Sequence, residues 1–233
     1  MTDMEIEERV AEILDNIASA ARETGRSGED ITLVAATKMN GAESIRRAIK
    51  AGVKVCGENR VQEFLEKRPQ GAYEGAQVHF IGHLQRNKAK SVVGEVALIE
   101  SVGSPELART VNELAGKRGI CQDILVEVNI GKEAGKTGIE PEELERFMEE
   151  ISSFSSIRIR GLMAIPPAGL ERDENRRFFS AMRELFVDIK GKKYDNSLVQ
   201  FLSMGMSADY MDAIREGANM VRIGTGIFGP RSY

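Results

Sequence analysis

The sequence predicts a single closed (β/α)8 barrel, and three observations carry that expectation. Short apolar runs alternate with amphipathic stretches along the whole chain, which is the order of an α/β fold. The runs are apolar almost throughout, as in parallel strands buried on both faces. Eight such units fit into 233 residues, which suits a closed barrel better than an open doubly wound sheet.

The elements follow in order. Ile6, Val10, Leu14, Ile17 and Ala21 recur at helical spacing, so 5–24 is expected to be a helix ahead of the first strand. The polar turn GRSGED then leads into a partly β-branched run, the first strand at 31–38. Further strands are expected at 53–58, 78–82, 97–101, 123–129, 160–165, 201–204 and 221–224. Helical stretches lie between them at 42–51, 61–67, 86–93, 105–117, 141–152, 171–189 and 208–216, and the leading helix supplies the eighth. No Pro/Gly/Ser-rich linker or low-complexity block interrupts the pattern, so 1–233 reads as one domain with no second β domain.

Composition narrows the function. The net charge of −4 argues against a nucleic-acid protein built on bulk positive charge. Cys56 and Cys121 both sit in apolar runs and are expected to be buried, reduced thiols. Two histidines, His79 and His83, form no cluster of zinc-ligand spacing, so no metal site is expected. The N-terminus is acidic and amphipathic, without the basic and apolar regions of a signal peptide. No apolar stretch approaches the roughly 20 residues of a membrane span. The expectation is a soluble, cytoplasmic protein.

In such a barrel the functional groups stand at the C-terminal ends of the strands. Lys38 closes strand one after VAAT. Apolar walls there would disfavour an ammonium, and a neutral amine condenses with aldehydes; the alternative is a lysine that snorkels to solvent. The turns SMGMS and GTG bring together Gly205, Ser207, Gly224, Thr225 and Gly226, candidates for an anion cradle after strands seven and eight. Ser207 is also a candidate N-cap for the following helix; plain turn and cap chemistry is the alternative for both segments. Together the lysine and the cradle suit a phosphorylated aldehyde. Arg222 interrupts the apolar strand MVRIG and needs a partner. It could face a pyridine nitrogen and keep it unprotonated, or pair with Glu58 or Glu127.

Two further segments attract attention. GKEAGKTG, 131–138, imitates a phosphate-binding P-loop, but only three residues separate Gly131 from Gly135–Lys136–Thr137 where the motif needs four. A loop at the barrel mouth is the better reading. The basic segment from Arg86 to Lys90 reads as a solvated helix face.

Five segments together resemble one family: LVAATK (33–38), GENRVQEF (57–64), HFIGHLQRNK (79–88), GLMAIPP (161–167) and the long stretch from 203 to 231. The chain resembles the YggS/PROSC family, the pyridoxal phosphate homeostasis proteins, over essentially its whole length. That family is similar to the N-terminal barrel of alanine racemase, fold type III among pyridoxal phosphate proteins. The resemblance implies a Schiff base between pyridoxal 5′-phosphate and Lys38. It implies phosphate contacts from Ser207, Gly224 and Thr225, Arg222 near the pyridine nitrogen, and Asn59 beside the cofactor. It also implies a protein that buffers or delivers the cofactor, with apo-enzymes as recipients and no dedicated catalytic activity.

Two other functions compete. A racemase needs an acid/base on each face of the cofactor. In alanine racemase the opposite base is a tyrosine from a second domain of the partner subunit. None of Tyr73, Tyr194, Tyr210 and Tyr233 stands at an expected strand end. A cofactor-free barrel for phosphorylated sugars is the other competitor. With no second domain to supply racemase-type dimer contacts, a monomer is expected.

Overall fold

The structure, a computed structural model, describes residues 5–230. Residues 1–4 and 231–233, with Tyr233 and the ends of the domain read as 1–233, lie outside the described residues. Eight parallel strands close in chain order into one barrel. They are β1 (Thr32–Ala36), β2 (Val55–Glu58), β3 (Gln77–Phe80), β4 (Leu98–Val102), β5 (Gln122–Val128), β6 (Ile157–Ala164), β7 (Ser197–Ser203) and β8 (Met220–Ile223). β8 pairs with β1 through Thr32–Met220 to Ala35–Ile223, which closes the ring. The expected (β/α)8 architecture is therefore present, with every expected strand in its place.

The helices are α1 (Ile6–Glu23), α2 (Ala42–Lys50), α3 (Val61–Lys67), α4 (Pro105–Lys117), α5 (Leu144–Ser152), α6 (Arg172–Gly191), α7 (Tyr210–Arg215) and the single turn α8 (Thr225–Phe228). α1 packs against α2, α7 and α8 and buries Val10, Ile13, Ile17, Ala20 and Ala21. It fills the outer position that a full helix after β8 would take, as expected. None of these helices is long and apolar enough to cross a membrane.

Three local expectations change. The segment after β3 is a 3-10 helix, Arg86–Ser91, whose only buried side chain is Ala89; so narrow an apolar face cannot anchor a regular helix. β6 and β7 begin earlier than the apolar runs suggest, because their N-terminal halves carry exposed polar residues such as Arg158 and Gln200. Cys121 is exposed just before β5, whereas Cys56 is buried as expected.

Inside the barrel every second residue of a strand points inward. Val34, Ala36, Val55, Ile81, Leu98, Leu125, Met163 and Met220 form an apolar cluster there, separate from the larger one between strands and helices. Toward the C-terminal mouth the interior turns polar. His79, Glu100, Ser203 and Arg222 are buried there, while Glu58 is buried on the outer face of β2, toward α3. Charges in such a place require partners, and those partners define the site.

Candidate cofactor-binding site

Two strand ends shape the mouth first. β1 ends at Ala36, and Thr37 keeps one more ladder bond, its N–H donating to Gly57 O at 2.9 Å. The chain then turns at Lys38, and Met39 adopts φ 61°. At the end of β2, Asn59 passes so close to β3 that a Cβ on Gly82 would stand 2.1 Å from its carbonyl oxygen; only glycine fits there.

One cavity at the mouth, of about 460 Å³, is lined by Lys38, Asn59, Ser207, Arg222, Gly224 and Thr225. All six expected site residues thus face a common space, contributed by the ends of β1, β2, β7 and β8. Ile81, Met39, Ile165, Met206 and Phe228 supply apolar walls. Gly205 and Gly226 do not line it. Gly205 instead lets α7 pack close, since a Cβ there would lie 2.5 Å from Ala213 Cβ.

Ser207 is not a helix N-cap. α7 begins only at Tyr210, because Asp209 takes the Met206 N–H on its carboxylate at 2.6 Å and holds a separate turn first. Ser207 Oγ accepts the N–H groups of Gly224 at 3.3 Å and Gly226 at 3.1 Å. The expected cradle segments after β7 and β8 are thus tied to each other.

Arg222 is fully enclosed. Its guanidinium donates to Ser203 Oγ at 2.5 Å and to Ala164 O at 2.9 Å. Ser203 Oγ donates onward to Glu100 Oε2 at 2.6 Å, and Glu100 Oε1 meets His79 Nδ1 at 2.8 Å. Its buried carboxylate partner is Glu100, 4.0 Å away, and not Glu58 or Glu127. Burial pushes the arginine below its ordinary value, and Glu100, Glu127 and Asp209 push back. Burial likewise opposes charge on Glu100, but His79, Arg222 and Ser203 outweigh it and hold the carboxyl below its ordinary range.

Beneath Lys38 lies a second buried network. Glu58 Oε1 accepts from Thr37 Oγ1 at 2.5 Å, Lys67 Nζ at 2.9 Å and Tyr73 OH at 2.9 Å. Burial first, then Glu58, pushes the Tyr73 phenol far up, so it stays protonated and donates. Sequence reasoning missed this network and the Glu100–His79 pair. The signal was present: a carboxylate inside LIES and a charged arginine inside MVRIG are complementary exceptions in apolar strands.

A neighbouring cavity of about 510 Å³ is lined by His83, Arg86, Ser104, Glu127, Lys136 and Thr137. The 131–138 loop closes one side of it. No helix follows Thr137 directly; the next element is a 3-10 turn, Pro141–Glu143, ahead of α5. Burial pushes the Glu127 carboxyl up, opposed by Thr137, His83 and Arg222. Among the described residues no three His, Cys, Asp or Glu side chains stand together as metal ligands.

Residues 9–232 match the family described as alanine racemase, N-terminal domain. The pyridoxal phosphate homeostasis protein of Aquifex aeolicus is 42% identical over 226 residues, covering 97% of this chain and 98% of that one. Its counterpart in Escherichia coli is 36% identical over 232 residues, 98% of each chain. The chain belongs to this family of pyridoxal phosphate homeostasis proteins. Among solved structures, PipY of Synechococcus elongatus with PLP bound matches with TM-score 0.83 and 31% identity, covering 97% of this chain and 100% of that one. Alanine racemase of Clostridium difficile matches with TM-score 0.70 and 20% identity, covering 97% of this chain but 57% of that one. That likeness concerns the barrel alone.

Proposed function

We propose that this protein holds pyridoxal 5′-phosphate at the mouth of its barrel, with Lys38 as the capturing amine, and serves to buffer or hand on the cofactor inside the cell. One observation carries the reading: Lys38, Asn59, Ser207, Arg222, Gly224 and Thr225 line a single cavity. The donors fit the group. Asn59 Oδ1 is buried without a hydrogen-bond partner, which a polar substituent on a ring can supply. The hydroxyls of Ser207 and Thr225, which line the cavity beside Gly224, suit a phosphate.

When bound, pyridoxal 5′-phosphate supplies an aldehyde with which a primary amine condenses, releasing water. The chain's residues do the rest. Arg222, held by Ser203 and Ala164, presents a fixed cation that does not give up its proton to a ring nitrogen. Apolar walls from Ile81 and Phe228 flank the cavity that Lys38 lines.

Racemisation is the weaker reading. None of Tyr73, Tyr194 and Tyr210 lines the cavity, so no described tyrosine can serve as the second base. The recipients proposed are apo-enzymes that need the cofactor, and the chain is proposed to act as a cytoplasmic monomer. Mixing the cofactor-free protein with pyridoxal 5′-phosphate is expected to raise a visible absorbance band, abolished in Lys38→Ala. Borohydride reduction followed by mass spectrometry should place the adduct on Lys38. A band of equal size in Lys38→Ala, or none in the wild type, overturns the proposal. Turnover of L-alanine faster than about 1 per second would restore the racemase reading.

A further inference from the structure

The geometry points to Lys67 as a positioning residue: its ammonium holds the backbone on both sides of Lys38 and so sets where that amine stands. Lys67 closes α3 and is buried. Its three protons are all used, on Thr37 O at 2.9 Å, Glu58 Oε1 at 2.9 Å and Glu63 Oε2 at 3.0 Å. Thr37 directly precedes Lys38. Glu63 Oε2 also accepts the N–H of Met39, which directly follows Lys38, at 2.6 Å. One cation therefore grips the residue before the amine directly and the residue after it through a carboxylate.

The backbone shows what that grip enforces. Met39 has φ 61°, a conformation that non-glycine residues rarely adopt and that persists only where surroundings impose it. Among the described residues only Lys132 shares a positive φ without being glycine. Burial opposes charge on Glu63, but the Met39 N–H and Lys67 outweigh it and keep the carboxylate ionised. The Thr37 hydroxyl donates to Glu58, which pins the other side of the turn to the same cluster.

A buried ion pair alone is weak evidence of a stabilising role. Here the contacts converge on the two peptides that flank a single reacting side chain. Displacing a reacting group by about 1 Å can cost up to about 100-fold in rate. This inference rests on Lys38 being the capturing amine.

The test uses the full chain and two probes: pyridoxal 5′-phosphate, and pyridoxine 5′-phosphate, which has no aldehyde for Lys38 to capture. Lys67→Met and Glu63→Leu are expected to slow growth of the visible band by about 10-fold to 100-fold. The affinity for pyridoxine 5′-phosphate, measured by calorimetry, should stay within about twofold. Glu63→Gln, whose amide oxygen still accepts the Met39 N–H, should capture the aldehyde at close to the wild-type rate. Glu63 is partly exposed, with 16% of its side chain accessible, so its variants are the milder change, and a native circular dichroism spectrum is the check that each one folds. Unchanged capture in Glu63→Leu overturns the inference, as does a parallel loss of both probes, which would mark general damage. A wild-type protein that raises no band overturns the reading of Lys38 itself, so the two failures separate.

Discussion

Two buried carboxylates stand at the barrel mouth, and they are used in opposite ways. Glu100, on β4, reaches a cation that faces the cavity, with Arg222 4.0 Å away and linked through Ser203. Glu58, on β2, takes Lys67, Thr37 and Tyr73 instead, and the cluster grips backbone beside Lys38. An arginine keeps its proton, so a buried carboxylate can balance its charge, here through Ser203, without taking that proton. On the other side Glu58 reaches backbone: it accepts from Thr37 Oγ1 and from Lys67, which itself donates to Thr37 O next to Lys38. The same element, a buried glutamate on a barrel strand, thus holds a charge in one place and braces backbone in the other.

The largest expected effect breaks the arginine side. Glu100→Gln leaves Arg222 and His79 buried without their shared anion, and removing one partner of a buried pair costs about 3–5 kcal/mol. A urea midpoint at neutral pH measures it. The sign with pH follows from the lowered carboxyl of Glu100. Its contribution is full above the unfolded value near 4.5 and is lost as pH falls through the folded one, so wild type and variant should converge in acid. A gap that stays constant down to acid denaturation would show that Glu100 does not carry the anion.

Glu58→Gln should cost less, about 1–3 kcal/mol, because Lys67 keeps Glu63 and Thr37 O as partners. Equal losses in the two variants would erase the distinction between a paired charge and a braced backbone.

Much of this was legible in the sequence, for a physical reason. Strands buried on both faces are largely apolar, so Ile31 to Ala36 and Ile124 to Val128 announce themselves despite Thr32 and Glu127. Glycines and a lone lysine at strand ends mark the mouth, and Lys38, Ser207 and Gly224 follow from that position. The exchange of partners was not legible. Which glutamate meets Arg222 depends on inward alternation and register across β4, β7 and β8, and a one-residue slip moves a side chain to the other face. Lys67 is hidden for a related reason: nothing at the end of a short helix marks it, and only the packing of α3 on β2 turns it inward. The helix expected at 86–93 and the cap expected at Ser207 failed because local turn bonds, at Ala89 and at Asp209, won over periodicity.

Glu127 sharpens the comparison as a third buried carboxylate. One oxygen accepts from Thr137 Oγ1 at 2.9 Å, while Oε2 is buried without a hydrogen bond. Its pKa is raised, chiefly by burial. A raised carboxyl contributes stability below its unfolded value and loses it as pH rises through the folded one. Glu127→Gln is therefore expected to stabilise the protein at neutral pH, read as a rise in the urea midpoint. The gain should vanish below about pH 4, where wild-type Glu127 is protonated in both states. Loss of stability at neutral pH would mean that Glu127 is compensated like Glu100.

The smallest effect tests how closed the lysine side is. Cys56 lies on β2 two residues before Glu58, and burial first, then the Glu58 charge, pushes its thiol up to about 12. Cys121 is exposed. Only the thiolate reacts with disulfide reagents, so one thiol per chain should titrate in the native protein and the second only on unfolding. Because burial outranks Glu58 among the causes, Glu58→Gln should leave Cys56 protected. If Cys56 reacts in the native wild type, β2 opens in solution. A strand that opens cannot serve as the fixed floor on which Lys67 braces Lys38. Protection in both proteins is thus the minimum that the braced-backbone account requires, and it is read from a single thiol count.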